Sequence, residues 1–180
     1  MQINRYNVGK IAERIVMNEL ESRGYRTTDL NKDGLSANSD ILAAKSGKIW
    51  QIQVKGATNK PTDKRWWIQY GHCNIKTINR KESMFNKKNS FYRAQYAALV
   101  AIRSPKIYRI FMLPVAMAER ATNLNLNRSY RVRRINSKRD KKPGKVWVFV
   151  EKSIQPRKAN LPLNKEQKII QRYENAWNLK

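Results

Sequence analysis

The chain of 180 residues has little of what several protein classes require. Its one cysteine, Cys73, and one histidine, His72, exclude an intrachain disulfide framework, zinc sites built from clustered His and Cys side chains, and nuclease folds that need paired histidines. It contains no stretch of about 18 apolar residues to span a membrane, and no apolar secretory signal precedes the first charged helix. A single cysteine fits a reducing compartment, so we expect a cytoplasmic protein without a membrane partner.

Acidic residues are also scarce, since 13 Asp+Glu accompany 38 Lys+Arg and the formal net charge is +25. Self-repulsion on this scale indicates that a polyanion normally lies against the surface, and nucleic acid is the leading partner. Residues 1–40 hold six acids and six bases, so the whole excess lies in the remaining 140 residues. Negative carboxylates kept near a negative polymer suggest a divalent metal, because such a cation would offset the repulsion between them.

The spacing of apolar residues predicts one α/β (α+β) domain over residues 1–180, with a mixed sheet flanked by helices. A helical stripe from Val8 to Arg23 ends at Gly24, a common helix stop. Two apolar runs around a Ser46-Gly47 turn predict a β-hairpin formed by residues 39–44 and 49–55. The other expected elements are strands at 25–28, 97–102 and 107–113, a short helix at 115–121, a basic hairpin of strands 130–135 and 145–150, and a C-terminal helix at 164–177.

The predicted hairpin around residues 46 and 47 brings chemical groups together. Paired residue numbers then sum to 93, so Asp40 lies opposite Gln53 and on the same face as Lys55, with opposed Cβ atoms roughly 5 Å apart. Phosphodiester hydrolysis needs oxygen ligands for a metal, a cation near the attacking water and positive charge along the nucleic acid. Asp40 offers a carboxylate, Gln53 an amide oxygen and Lys55 an ammonium group. Glu13, near the edge of the helical stripe, can point at the open end of the hairpin.

Three short motifs carry a resemblance to a known superfamily. They are Gly-Lys-Ile-Ala-Glu at 9–13, Ser-Asp-Ile-Leu at 39–42 and Ile-Gln-Val-Lys-Gly at 52–56. Together they resemble the PD-(D/E)XK nucleases, and they are most similar to the branch with a Q-V-K variant that includes a group I intron homing endonuclease. Holliday junction resolvases look like more distant relatives. Residues 108–115 also resemble a later strand of that branch, which ends in proline.

The resemblance implies a restriction-endonuclease-like fold and a metal site. Glu13, Asp40 and Gln53, with the backbone carbonyl of Val54, would bind Mg²⁺ or, as a substitute, Mn²⁺, and Lys55 would be the catalytic cation. Two positions depart from the pattern. Ser39 stands where the superfamily has proline, and Gln53 replaces a carboxylate, which removes one negative charge and weakens the affinity for metal.

Two basic stretches, at about 59–88 and 128–145, are expected to contact DNA. Nine of the eighteen residues from 128 to 145 are basic and one, Asp140, is acidic, which is denser than solubility requires. Charge of this kind can also form a solvated face. Residues 66–70, which include three aromatic side chains, can equally be a strand that buries Trp66, Ile68 and Tyr70. The residues expected to contact DNA are Lys64, Arg65, Trp66, Trp67, Arg128, Arg131, Arg133, Arg134, Lys138, Arg139, Lys141 and Lys142.

The sequence therefore predicts a Mg²⁺-dependent endonuclease of the homing or restriction type that cleaves double-stranded DNA. One chain offers one such site, so cutting both strands implies a homo-oligomer, either a dimer or a tetramer. A structure-specific junction resolvase is the alternative enzyme. A non-catalytic basic protein on a nuclease fold is the alternative from another class. A ribosomal type of RNA-binding protein would explain the charge but not the opposed Asp40 and Gln53.

Overall fold

The computed structural model describes residues 5–31, 39–58, 65–78, 81–89, 94–104, 106–133, 143–149 and 165–180. The elements in chain order are α1 (Arg5–Glu21), β1 (Arg26–Asp29), β2 (Ile41–Lys45), β3 (Lys48–Thr58), β4 (Arg65–Ile78), β5 (Lys81–Asn89), β6 (Tyr96–Ser104), β7 (Ile107–Pro114), α2 (Val115–Arg133), β8 (Pro143–Phe149) and α3 (Lys165–Gln171). None of these three helices is long and apolar enough, within the described residues, to cross a membrane.

The strands form two sheets. Five strands pair in the order β1-β2-β3-β6-β7, and the remaining three pair in the order β5-β4-β8. Strands β3 and β6 are parallel, while the other neighbours in the five-stranded sheet are antiparallel. A mixed sheet with helices is the architecture that the sequence predicts, and the prediction of a mixed α+β fold is confirmed.

Helix α1 forms because its apolar residues recur on one stripe that the sheet covers. Val8, Ala12, Val16 and Leu20 are all buried, at spacings of four residues. The helix stops at Gly24, whose φ of +80° is readily adopted only by glycine. The backbone N–H of Tyr25 then turns back to the carbonyl of Leu20 at 3.1 Å, which satisfies a helix-end carbonyl.

The β2–β3 hairpin has the predicted register. Lys45 pairs with Lys48 at the tip and Ile41 pairs with Ile52 at the far end, so paired residue numbers sum to 93. Ser46 and Gly47 both have positive φ, of 51° and 77°. Two such residues make the tight turn whose twist matches a two-stranded ribbon, and this turn fixes which side chains meet at the open end.

Both faces of the five-stranded sheet are covered. Ile52, Val100 and Ile110 are buried on the face that packs against α1, together with Trp177 and Leu179 from the C-terminal segment. On the other face, Leu99, Phe111 and Leu113 pack against Ala118 and Ala121 of α2 and Ile170 of α3. The sheet thus lies between two helical layers, and the strand ends that carry the candidate site are held from both sides.

The predicted basic hairpin is wrong in its first strand. Helix α2 continues through Tyr130 to Arg133, where a strand at 130–135 was expected. Strand β8 pairs with β4 instead, with Trp147 opposite Trp67. The alternation of apolar and basic residues at 130–133 is too short to distinguish a strand from a helix. The buried residues Ala118, Ala121, Thr122 and Asn125, by contrast, follow the helical spacing.

The C-terminal helix is shorter than the predicted span of 164–177. It ends at Gln171, and the following residues pair with the edge strand β7 instead. The Met112 N–H donates to the Tyr173 carbonyl at 2.9 Å, and the Asn175 N–H donates to the Ile110 carbonyl at 3.0 Å. These bonds satisfy edge groups of β7, and they carry Trp177 into the core. Residue 164 lies outside the described residues.

Candidate active site

A close contact between α1 and β3 positions the site. A Cβ atom on Gly56 would lie 2.6 Å from the Ala12 Cβ and 3.1 Å from the Val8 carbonyl oxygen. Only glycine therefore allows the helix to approach the strand this closely. Ala12 precedes Glu13 and Gly56 follows Lys55, so the contact brings the helix carboxylate to the strand that carries the lysine.

Asp40 forms the centre of the hydrogen-bond network at the open end of the hairpin. Its backbone N–H donates to the Ile52 carbonyl at 2.9 Å, one residue before β2 begins. Its Oδ2 accepts the Val54 N–H at 2.7 Å and a hydrogen bond from Gln53 Nε2. Strand β2 begins at Ile41, which pairs with Ile52, so Val54 has no partner residue in β2. The Asp40 carboxylate accepts the Val54 N–H in place of a backbone carbonyl of that strand.

Gln53 and Val54 each present an oxygen atom on this side of the hairpin. Gln53 is buried, and because its Nε2 donates to Asp40 the amide oxygen Oε1 is the atom it can offer a cation. The N–H and carbonyl of one strand residue point to the same side of the strand. The carbonyl of Val54 is therefore directed toward the side on which its N–H meets Asp40. The side chains of Asp40 and Gln53 meet, as the predicted register requires.

Glu13 shares the electrostatic environment of these groups. Its pKa is raised, first by burial and next by the negative charge of Asp40, with a smaller contribution from Asp29. A hydrogen bond with the Asn31 side chain and the positive charge of Lys55 act in the opposite direction and lower the pKa. The half-buried Lys55 lies on the same strand as Gln53. The structure therefore brings Glu13, Asp40, Gln53 and Lys55 to one place.

Asn31 is a member of this cluster that the sequence reading missed. Its Nδ2 donates to Asp40 Oδ1 at 3.2 Å, and its backbone N–H donates to Asp29 Oδ1 at 3.0 Å. The second bond is a local Asx-type turn. The sequence signal was the Asp-Leu-Asn triplet at 29–31, because Asp followed two residues later by a turn residue is typical of this motif.

The predicted metal-binding set is built from oxygen atoms of mixed type. Within the described ranges, no group of three or more His, Cys, Asp and Glu side chains is placed to hold a metal ion. The candidate donors are two carboxylates, from Glu13 and Asp40, the Gln53 amide oxygen and the Val54 carbonyl. Hard oxygen donors with room for water suit Mg²⁺, so the chemistry of this set fits the ion that the resemblance implies.

The residues expected to bind DNA are spread over several elements. Arg65, Trp66 and Trp67 lie on β4, opposite Phe149, Val148 and Trp147 of β8. Arg128, Arg131 and Arg133 lie in the last turns of α2 rather than on a hairpin. The others fall outside the described residues, namely Lys64, Arg134, Lys138, Arg139, Lys141 and Lys142.

Comparison with known proteins rests on structure alone. No protein-family model and no curated protein matches the sequence. The structure is similar to that of a bacterial homing endonuclease, I-Ssp6803I, with a TM-score of 0.51 over 97% of this chain and 91% of that chain. The chain shares the fold of that structure. Sequence identity over the alignment is 12%, so the similarity concerns architecture, and the assignment to the PD-(D/E)XK superfamily stays a prediction from the motifs.

Proposed function

We propose that the protein is a Mg²⁺-dependent endonuclease that hydrolyses phosphodiester bonds in double-stranded DNA. The observation that carries the proposal is the convergence of Glu13, Asp40, Gln53 and Lys55 at the open end of one hairpin. The shared fold with a homing endonuclease supports it. So does the net charge of +25, which suits a polyanionic substrate.

In this proposal each side chain has one task. Glu13, Asp40, the Gln53 amide oxygen and the Val54 carbonyl would hold the cation. The chemistry that a divalent ion supplies at such a donor set is Lewis-acid polarisation of the scissile phosphodiester. Lys55 places its ammonium group beside the carboxylates, where it orients the attacking water and adds positive charge near the phosphate. Basic residues outside the site hold the DNA backbone.

The mutual repulsion of the carboxylates supports a cation at this place. The pKa of Glu13 is raised first by burial and next by the negative charges of Asp40 and Asp29, and the Asn31 hydrogen bond and Lys55 compensate only in part. A divalent cation held by these carboxylates would offset the remaining repulsion. A non-catalytic DNA-binding protein has no need of two such carboxylates beside a surface that binds a polyanion.

The test is plasmid nicking in Mg²⁺ by wild type and three variants. Asp40→Asn keeps an acceptor for the Val54 N–H while removing the charge, and Lys55→Ala removes the ammonium group. We expect both to lower the nicking rate by at least roughly 100-fold. The matched control is Lys48→Ala, an exposed lysine on the same strand, which should nick as wild type does. Equal nicking by wild type and Asp40→Asn would refute this site.

Two further assays separate the alternatives. If four-way junctions compete strongly against linear duplex and are cut symmetrically, the protein is a junction resolvase. DNA binding that persists in EDTA, with no cleavage in Mg²⁺ or Mn²⁺ and no metal bound by calorimetry, would identify a non-catalytic binder. We also propose a homo-oligomer, because each chain carries one site and a double-strand cut needs two. Sedimentation of the protein with and without duplex DNA distinguishes a dimer from a tetramer.

A further inference from the structure

Asn31 occupies a position between the two candidate carboxylate ligands. Its Nδ2 lies 3.2 Å from Asp40 Oδ1, and its side chain also hydrogen-bonds Glu13, which lowers the pKa of that group. A side-chain amide nitrogen carries two N–H donors. One neutral group can therefore contact two anionic groups that would otherwise repel each other, one on α1 and one at the start of β2.

The backbone around Asn31 is held firmly although the side chain is exposed. The N–H of Leu30 donates to the Asp40 carbonyl at 3.0 Å, which extends the β1–β2 pairing by one residue. Leu30 itself is buried. The Asn31 N–H is bound to Asp29 Oδ1 at 3.0 Å. These three anchors fix the Cα of Asn31 relative to Asp40, so the amide reaches the carboxylates from a defined direction.

We infer that Asn31 is a positioning residue that holds Asp40 and Glu13 at the spacing at which both bind one divalent cation. The inference rests on the proposed function. Asn31 does not touch the substrate in this scheme. It acts by hydrogen-bonding the two carboxylates. In other metal sites, removing a group that hydrogen-bonds to a metal ligand commonly costs roughly 10–100-fold in metal affinity or activity.

The role makes a specific distinction between two replacements. Asn31→Ala removes the amide and leaves the carboxylates without their common donor. Asn31→Leu has a similar shape but carries neither an N–H donor nor a charge. If the donor matters, both variants bind metal more weakly, because Asp40 and Glu13 lose the group that holds them in place. If the side chain only fills space, Asn31→Leu binds metal as the wild type does.

The experiment measures Mn²⁺ binding by titration calorimetry in the full chain without DNA, and the Mg²⁺ concentration that gives half-maximal nicking. We expect Asn31→Ala and Asn31→Leu to raise both values by roughly tenfold. At saturating Mg²⁺ the Asn31→Ala nicking rate should return to within a few-fold of wild type. The matched control, Asn18→Ala, changes an exposed asparagine on α1 and should leave both values unchanged.

The outcomes separate the inference from the proposed function. Wild-type metal affinity in Asn31→Ala or in Asn31→Leu would overturn the positioning role while leaving the nuclease proposal intact. A wild-type protein that neither binds Mn²⁺ nor nicks DNA would overturn both. Circular dichroism of each variant checks folding, and since Asn31 is exposed we expect native spectra.

Discussion

Replacing Gly56 by alanine should push helix α1 away from strand β3 at the point where Glu13 and Lys55 come together. The new Cβ would lie 2.6 Å from the Ala12 Cβ, whereas carbon atoms in contact lie about 3.5–4.0 Å apart. The helix or the strand must therefore shift by about 1 Å. Overpacking of this kind costs about 1–3 kcal/mol, which corresponds to a fall in Tm of roughly 2–12 °C for a domain of this size.

The same shift should impair nicking more than it impairs folding. A displacement of about 1 Å in a catalytic group can cost roughly 100-fold in rate, and Glu13 follows the displaced Ala12 directly. Nicking is therefore measured well below the Tm of Gly56→Ala, where the variant is folded. The control is Gly9→Ala on the same helix, where a new Cβ has nothing within 4 Å. It should keep full activity and gain a little stability, because alanine favours the helix by about 1 kcal/mol.

A double variant tests whether the contact itself is responsible. Ala12→Gly removes the nearest atom, after which the Val8 carbonyl oxygen at 3.1 Å is the closest neighbour of the new Cβ. We expect Ala12→Gly/Gly56→Ala to recover much of the nicking rate and to show a coupling energy of at least about 1 kcal/mol. Full activity and an unchanged Tm in Gly56→Ala, or strictly additive effects in the double variant, would refute the reasoning.

Two further predictions concern stability. Because the pKa of Glu13 is raised in the folded protein, its ionisation costs stability as the pH rises above the ordinary value of 4.5. Without metal, Glu13→Gln should therefore raise Tm at neutral pH, and the gain should vanish below pH 4.5. Thermal melts across pH test this, with Glu21→Gln on the same helix as the control. A Tm difference between Glu13→Gln and wild type that stays constant with pH would contradict the prediction. Trp177→Ala should lower Tm by roughly 6–20 °C, since removing a buried Trp costs about 3–5 kcal/mol. Asn178→Ala, which changes the exposed neighbour, should leave Tm unchanged. Equal Tm values for Trp177→Ala and Asn178→Ala would contradict the burial of Trp177 in the core.

Local patterns were sufficient to predict the part of the fold that carries the site. The Ser46-Gly47 turn and the alternation on either side of it determine the register of the hairpin, because a two-residue loop leaves one pairing. The stripe of α1 is equally local. The meeting of Asp40 with Gln53 follows from these two features, so a single sequence could indicate most of the cluster before any coordinates were known.

Long-range pairing could not be predicted in this way. The alternation near Tyr130 looked like a strand, but the segment continues helix α2, whose earlier residues Ala118 and Ala121 pack against the five-stranded sheet. Strand β8 found its partner in β4, about 80 residues earlier in the chain, as Trp67 opposite Trp147 illustrates. Asn31 was missed for a related reason, since its contacts with Asp40 and Glu13 depend on the pairing of β1 with β2 and on where the helix places Glu13.

The neutral Gln53 is consistent with how this site holds together. Burial, and after it repulsion from Asp40, already raises the pKa of Glu13. A third carboxylate at position 53, buried and in contact with Asp40, would add a charge with little access to water. An amide instead donates a hydrogen bond to Asp40 and still has an oxygen to offer. In the proposed metal site this exchange would lower the affinity for a cation while keeping the donors assembled, with Asn31 and Lys55 offsetting the two charges that remain.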